Sequence, residues 1–120
     1  MKRTIVVLVV LLSGLLVAVG HGSPLTGKRA FEERIGGQDN FILREKFRGG
    51  QRACVIVRGD HEPIVNLVLS VYDAKDQLVA EDRGGGDFVA VIWYPPRDAL
   101  YKIKVHNPGV DHNVCYISLK

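Results

Sequence analysis

Beyond residue 20 the chain has only three serines, Ser23, Ser70 and Ser118, and none is flanked by glycines on a tight turn. A serine hydrolase needs an exposed nucleophile with a positioned base, so this scarcity argues against that class. The four histidines, His21, His61, His106 and His112, show neither an H-x-H nor an H-E-x-x-H spacing, which leaves zinc without a local ligand set. No D-x-D-x-D-G loop is present for calcium. Gly84-Gly85-Gly86 is the longest glycine run, and the strand-like residues after it offer no helix N-terminus for a phosphate. The longest apolar run, Ile5 to Val19, is interrupted by Ser13 and Gly14. It falls short of the roughly 18–20 residues of a spanning helix.

That run follows the basic start Met1-Lys2-Arg3 and ends in the small residues Ala18 and Gly20, the pattern of a removable signal peptide. The reading is a signal helix over residues 1–20, cleaved after Gly20, with membrane contact only during export. The whole chain carries 16 Lys+Arg against 13 Asp+Glu, for a net charge of +3. Loss of Lys2 and Arg3 leaves 14 against 13, a net charge of +1. The basic balance therefore says little about nucleic acid, and none is expected as a partner. Two cysteines remain, Cys54 and Cys115. An even count in an oxidising compartment predicts one disulfide between them.

The rest reads as short alternating strands. Residues 21–38 form a flexible leader, in which Arg29 to Ile35 suits one or two helical turns before Gly36-Gly37. Residues 39–120 form the domain. Phe41 to Phe47 puts Phe41, Leu43 and Phe47 on one face and Arg44 and Lys46 on the other. Arg52 to Arg58 points Ala53, Val55 and Val57 inward and Cys54 and Ile56 outward. Val65, Leu67, Leu69 and Val71 alternate up to an Asp73-Ala74-Lys75-Asp76 turn, and Leu78-Val79-Ala80 returns antiparallel. Asp87 to Tyr94 is apolar on both faces, the mark of a central, covered strand. Tyr101, Ile103 and Val105 point inward from Leu100 to His106, and Cys115, Ile117 and Leu119 share a face in the last strand. The prediction is all-β: an antiparallel sandwich of about seven to eight strands behind the signal helix.

In this order, several segments resemble the pre-peptidase C-terminal domain family. They are Gly50-Gln51-Arg52, Asn66-Leu67-Val68-Leu69-Ser70-Val71-Tyr72-Asp73, Leu78-Val79-Ala80-Glu81-Asp82, Trp93-Tyr94-Pro95-Pro96, Tyr101-Lys102-Ile103-Lys104-Val105 and Asn113-Val114-Cys115-Tyr116. The resemblance covers roughly Asp39 to Lys120 and extends to stand-alone exported domains of planctomycete-type bacteria. It implies a jelly-roll-like sandwich in a secreted bacterial protein, of a kind that accompanies exported proteases or binds collagen or carbohydrate. No catalytic domain precedes it in this sequence, and Asn66 stands where members often carry Asp.

Two candidate sites follow from the residues. Asp73, Asp76, Glu81, Asp82 and Asp87 cluster along the hairpin and glycine-rich loop, where calcium would find oxygen ligands; ordinary turn and loop roles compete with that reading. Arg44, Lys46, Arg52 and Arg58 would form a basic stripe over two neighbouring strands, with Tyr72 and Tyr94 as aromatic contacts. Trp93 alternates with Val89 and Val91 and suits the core. The expectation is a secreted or periplasmic binding module without catalysis or an obligatory cofactor. Its partner would be an exported protein or an envelope glycan. The alternatives are a small structural protein of the envelope that pairs through a sheet edge, and a hydrolase using the loop carboxylates.

Overall fold

The computed structural model describes residues 5–7 and 23–120, and these form an antiparallel β-sandwich with no helix among them. The strands are β1 (Ile5–Val7), β2 (Arg29–Ile35), β3 (Asn40–Phe47), β4 (Ala53–Gly59) and β5 (Val68–Tyr72). They continue as β6 (Leu78–Asp82), β7 (Phe88–Trp93), β8 (Ala99–His106) and β9 (Asn113–Leu119). One sheet has the order β1-β6-β5-β8-β3, the other β2-β9-β4-β7. Only the β5–β6 hairpin joins neighbours within a sheet; every other connection crosses the sandwich. Strands adjacent in sequence are therefore mostly not adjacent in space.

Period-two alternation decides the core. Leu69 and Val71 of β5, Ile103 and Val105 of β8 and Phe47 of β3 point inward from one sheet. Val55, Val57, Val89, Val91, Ile117 and Leu119 meet them from the other. Each such buried side chain contributes about 1.5–3 kcal/mol relative to exposure. At one end Trp93 packs edge-on against Phe47 at 4.8 Å and Tyr101 at 5.3 Å between ring centroids. Trp93 is thus a core residue, as its alternation predicts.

The sheets are also tied by one carboxylate. Asp82, fully buried at the end of β6, accepts the N–H of Gly84 at 2.9 Å and of Ala90 in β7 at 3.0 Å. The second bond occupies an outward donor of an edge strand, which discourages edge-to-edge pairing.

Several expectations are corrected. Arg29 to Ile35 is strand β2, paired along its whole length with β9, because Phe31 and Ile35 alternate toward the core and β9 needs a partner. The leader is pinned from Ser23: Leu25 N–H donates to Lys46 O and Arg48 N–H to Ser23 O. β7 is an edge strand, so its second apolar side is open and leaves Phe88 and Ile92 exposed. The expected signal helix lies mostly outside the described residues. Its three described residues, Ile5–Val7, are extended, pairing with Ala80–Asp82 on the edge of β6.

The expected disulfide does not form; both cysteines are free. β4 and β9 are neighbours, but Cys115 stands opposite Gly59, at the far end of β4 from Cys54. Cys54 also shares the outward face with Ile56, whereas Cys115 points into the core. The faces and the register both forbid a bond.

Candidate binding face

The outer face of the β6-β5-β8-β3 sheet follows from register. Arg44 stands beside Lys102, and Lys102 beside Tyr72; Ile42 stands beside Lys104, and Lys104 beside Ser70. Lys46 lies opposite Leu100 in the next row. Four cations, Arg44, Lys46, Lys102 and Lys104, thus occupy the solvent side of two adjacent strands. The inward turn of Tyr101, Ile103 and Val105 forces the two lysines of β8 outward.

Tyr72 is the aromatic floor of this patch. Lys102 Nζ lies 4.8 Å and Lys104 Nζ 5.8 Å from its ring centroid, within cation–π range. Lys102 also reaches Asp76 Oδ1 at 2.8 Å. That hydrogen bond and its charge hold the exposed Asp76 carboxyl below its ordinary value. A shallow cleft of about 250 Å³ opens here, lined by Arg44, Asp73, Asp76 and Lys102 among others. The cleft lining balances two cations with two carboxylates, so an anionic ligand would lie along the lysines of β8 beside the Tyr72 ring rather than in the cleft.

Only part of the predicted stripe assembles. Arg44, Lys46 and Tyr72 share this face. Arg52 and Arg58 do not, because β3 and β4 belong to different sheets. Arg58 sits over the Tyr116 ring at 5.3 Å on the other outer face, Arg52 precedes β4, and Tyr94 follows β7. Lys102 and Lys104 complete the patch instead. The alternation of Leu100 to His106 already put them outward, but nothing local placed β8 next to β3.

The five acidic residues are dispersed among separate tasks. Asp73 Oδ1 accepts the N–H groups of Lys75 and Gln77 and closes the hairpin turn, both at 2.9 Å. Asp76 pairs with Lys102. Glu81 accepts Ser70 Oγ–H at 3.0 Å and Arg83 Nε–H at 2.6 Å. Asp82 holds the two backbone donors described above, and Asp87 uses its carbonyl for Gly59 N–H. Among the described residues no group of three or more His, Cys, Asp or Glu side chains stands close enough to share a metal ion. No family model and no curated protein matches the chain.

Proposed function

We propose that the protein is an exported binding module without catalysis, taking a polyanionic envelope glycan on the outer face of the β6-β5-β8-β3 sheet. The observation that carries this reading is that Lys102 and Lys104 lie over the Tyr72 ring, with Arg44 and Lys46 on the same outer face of the neighbouring strand β3. In a mature chain of net charge near zero, four cations on one face are a local concentration of charge. Sugars offer carboxylates or sulfates to the cations and C–H faces to the ring. Export rests on the signal-like start, and kinship with pre-peptidase C-terminal-like domains rests on the segments quoted above. The reading includes no cofactor.

A second reading, an envelope assembly protein, is favoured by one observation. The edge of β6 accepts an extended apolar strand, here Ile5–Val7. If residues 1–20 are removed on export, that edge would be free for a strand of another chain.

One experiment separates the two. The protein is applied to a sulfated or uronate-rich glycan resin and to a neutral one, and its mass is followed with concentration. The binding reading expects retention on the anionic resin alone. It expects loss on Lys102→Gln with Lys104→Gln and none on Arg52→Gln with Arg58→Gln. Self-association without retention would replace it with the assembly reading.

A further inference from the structure

The sandwich has four sheet edges, and three of them carry devices against further pairing. β3 turns the Glu45 carboxylate inward, where Arg29 and Thr26 bind it, and residues 23–25 bond across the end of that strand. β2 has Arg29, Glu32, Glu33 and Arg34 among its seven residues. β7 has its Ala90 N–H engaged by Asp82. The fourth edge is different. Leu78-Val79-Ala80 of β6 has no charge, and this edge holds an added strand, β1. β1 runs antiparallel, with Ile5 opposite Asp82, Val6 opposite Glu81 and Val7 opposite Ala80. It also lies against β7, so one extended segment fills the corner where the two sheets meet. With β1 in place, Ala80 and Asp82 are fully buried. Without it, the outer N–H and C=O groups of β6 would stand unpaired, a ready template for another strand.

We infer that this corner is a strand-accepting site: once residues 1–20 are removed, it takes an extended apolar segment of another exported protein, antiparallel to β6. The inference rests on the assembly reading above and adds the chemistry of the partner. Main-chain hydrogen bonds to the β6 edge supply the affinity. The segment is uncharged and rich in β-branched residues, as Ile5-Val6-Val7 is, because those residues favour the extended backbone that the edge requires. Proline is excluded from it, since proline brings no N–H to the ladder. The corner suits a lone strand better than a second copy of the chain. The Asp82–Ala90 hydrogen bond ties β7 to β6, so a copy that paired through its own β6 would bring its β7 into the same corner.

The test compares the full chain with residues 21–120, the form expected after export. The probe is a synthetic peptide of residues 3–9 with two lysines added at its C-terminus for solubility. A control peptide carries Val6→Pro and Val7→Pro, which removes a donor from either side of the strand. The site predicts that residues 21–120 bind the first peptide one to one, with slowed amide exchange at Leu78–Asp82. The control should bind about tenfold or more weakly, the loss of a ladder hydrogen bond. The full chain, whose own β1 fills the corner, should bind neither. Folding of residues 21–120 only when the first peptide is added would also support the site. No binding of that peptide by residues 21–120, folded or not, would overturn the inference, as would slowed exchange at another edge instead of β6. So would a doubled mass without peptide, which assigns the edge to a second copy. The mass of the exported protein tests the assembly reading separately. Retention of residues 1–20 would end that reading and this inference with it, whereas a peptide that fails to bind ends only the choice of the β6 edge.

Discussion

The two outer faces of the sandwich are built from the same alternation, yet one concentrates cations and the other mixes apolar side chains with charges of both signs. On the β6-β5-β8-β3 sheet the outward positions include Arg44 and Lys46 of β3 and, over the Tyr72 ring, Lys102 and Lys104 of β8. On the β2-β9-β4-β7 sheet one row is Ala30, Ser118, Ile56 and Ala90, and the next is Glu32, Tyr116, Arg58 and Phe88, so charges of both signs stand among apolar side chains. The inward sides are mostly apolar, with Glu45, Asp82 and Asn113 as the buried polar exceptions. Folding thus constrains one side of each strand, and the other side is free to carry function. The contrast is that one outer face concentrates cations, where the proposed glycan binding would sit, while the other mixes charges with apolar side chains.

The comparison holds only while a common core keeps both sheets in register, and the largest effect should come from breaking that core. Trp93→Ala removes the ring that touches both Phe47 and Tyr101, and a cost of about 3–5 kcal/mol is expected in urea unfolding. A cost under about 1 kcal/mol would mean that the sheets do not share that aromatic cluster.

Cys115 and Cys54 sharpen the comparison chemically, since one faces in and the other out. Burial pushes the Cys115 thiol up to about 11 from an ordinary value of 9.0. A raised folded-state value means the unfolded chain gives up its proton first. Stability is therefore intact below pH 9 and declines as pH rises from 9 toward 11, by about 2 kcal/mol at most from this group. Unfolding measured across that window should show the decline, and Cys115→Ala should lessen it, leaving the smaller part due to Cys54 and Tyr101, whose values are also raised by burial.

The smallest effect is expected at the exposed apolar side chains of β7. Phe88 and Ile92 are 47% and 38% exposed. Replacing both by lysine should change stability by no more than about 0.5 kcal/mol each. Retention on the anionic glycan should stay centred on the other sheet. A large loss of stability would show that this face is covered by something.

How much of this was legible in the sequence depends on which interaction made the decision. Strand positions and facing were legible, because alternation is local: Val55 and Val57 inward, Cys54 and Ile56 outward, Tyr101, Ile103 and Val105 inward. Sheet membership was not, because it depends on crossovers that leave no local mark. That is why Arg52 and Arg58 fell on the wrong stripe and Lys102 and Lys104 were missed. It is also why FVAVIW read as a central strand when it is an edge. RAFEERI read as helical turns because its adjacent acids hide a weak alternation that only pairing with β9 stabilises. The two cysteines lie on neighbouring strands, yet register and facing, invisible in sequence, keep them apart.

The most direct test of the account is to map a sulfated or uronate oligosaccharide onto the protein by backbone amide shifts. Binding on the charged face should give the largest changes at Arg44, Tyr72, Lys102 and Lys104, with β4 and β7 nearly unmoved. Shifts confined to β4 and β7, or none while the resin retains the protein, would contradict the assignment of binding to the charged face.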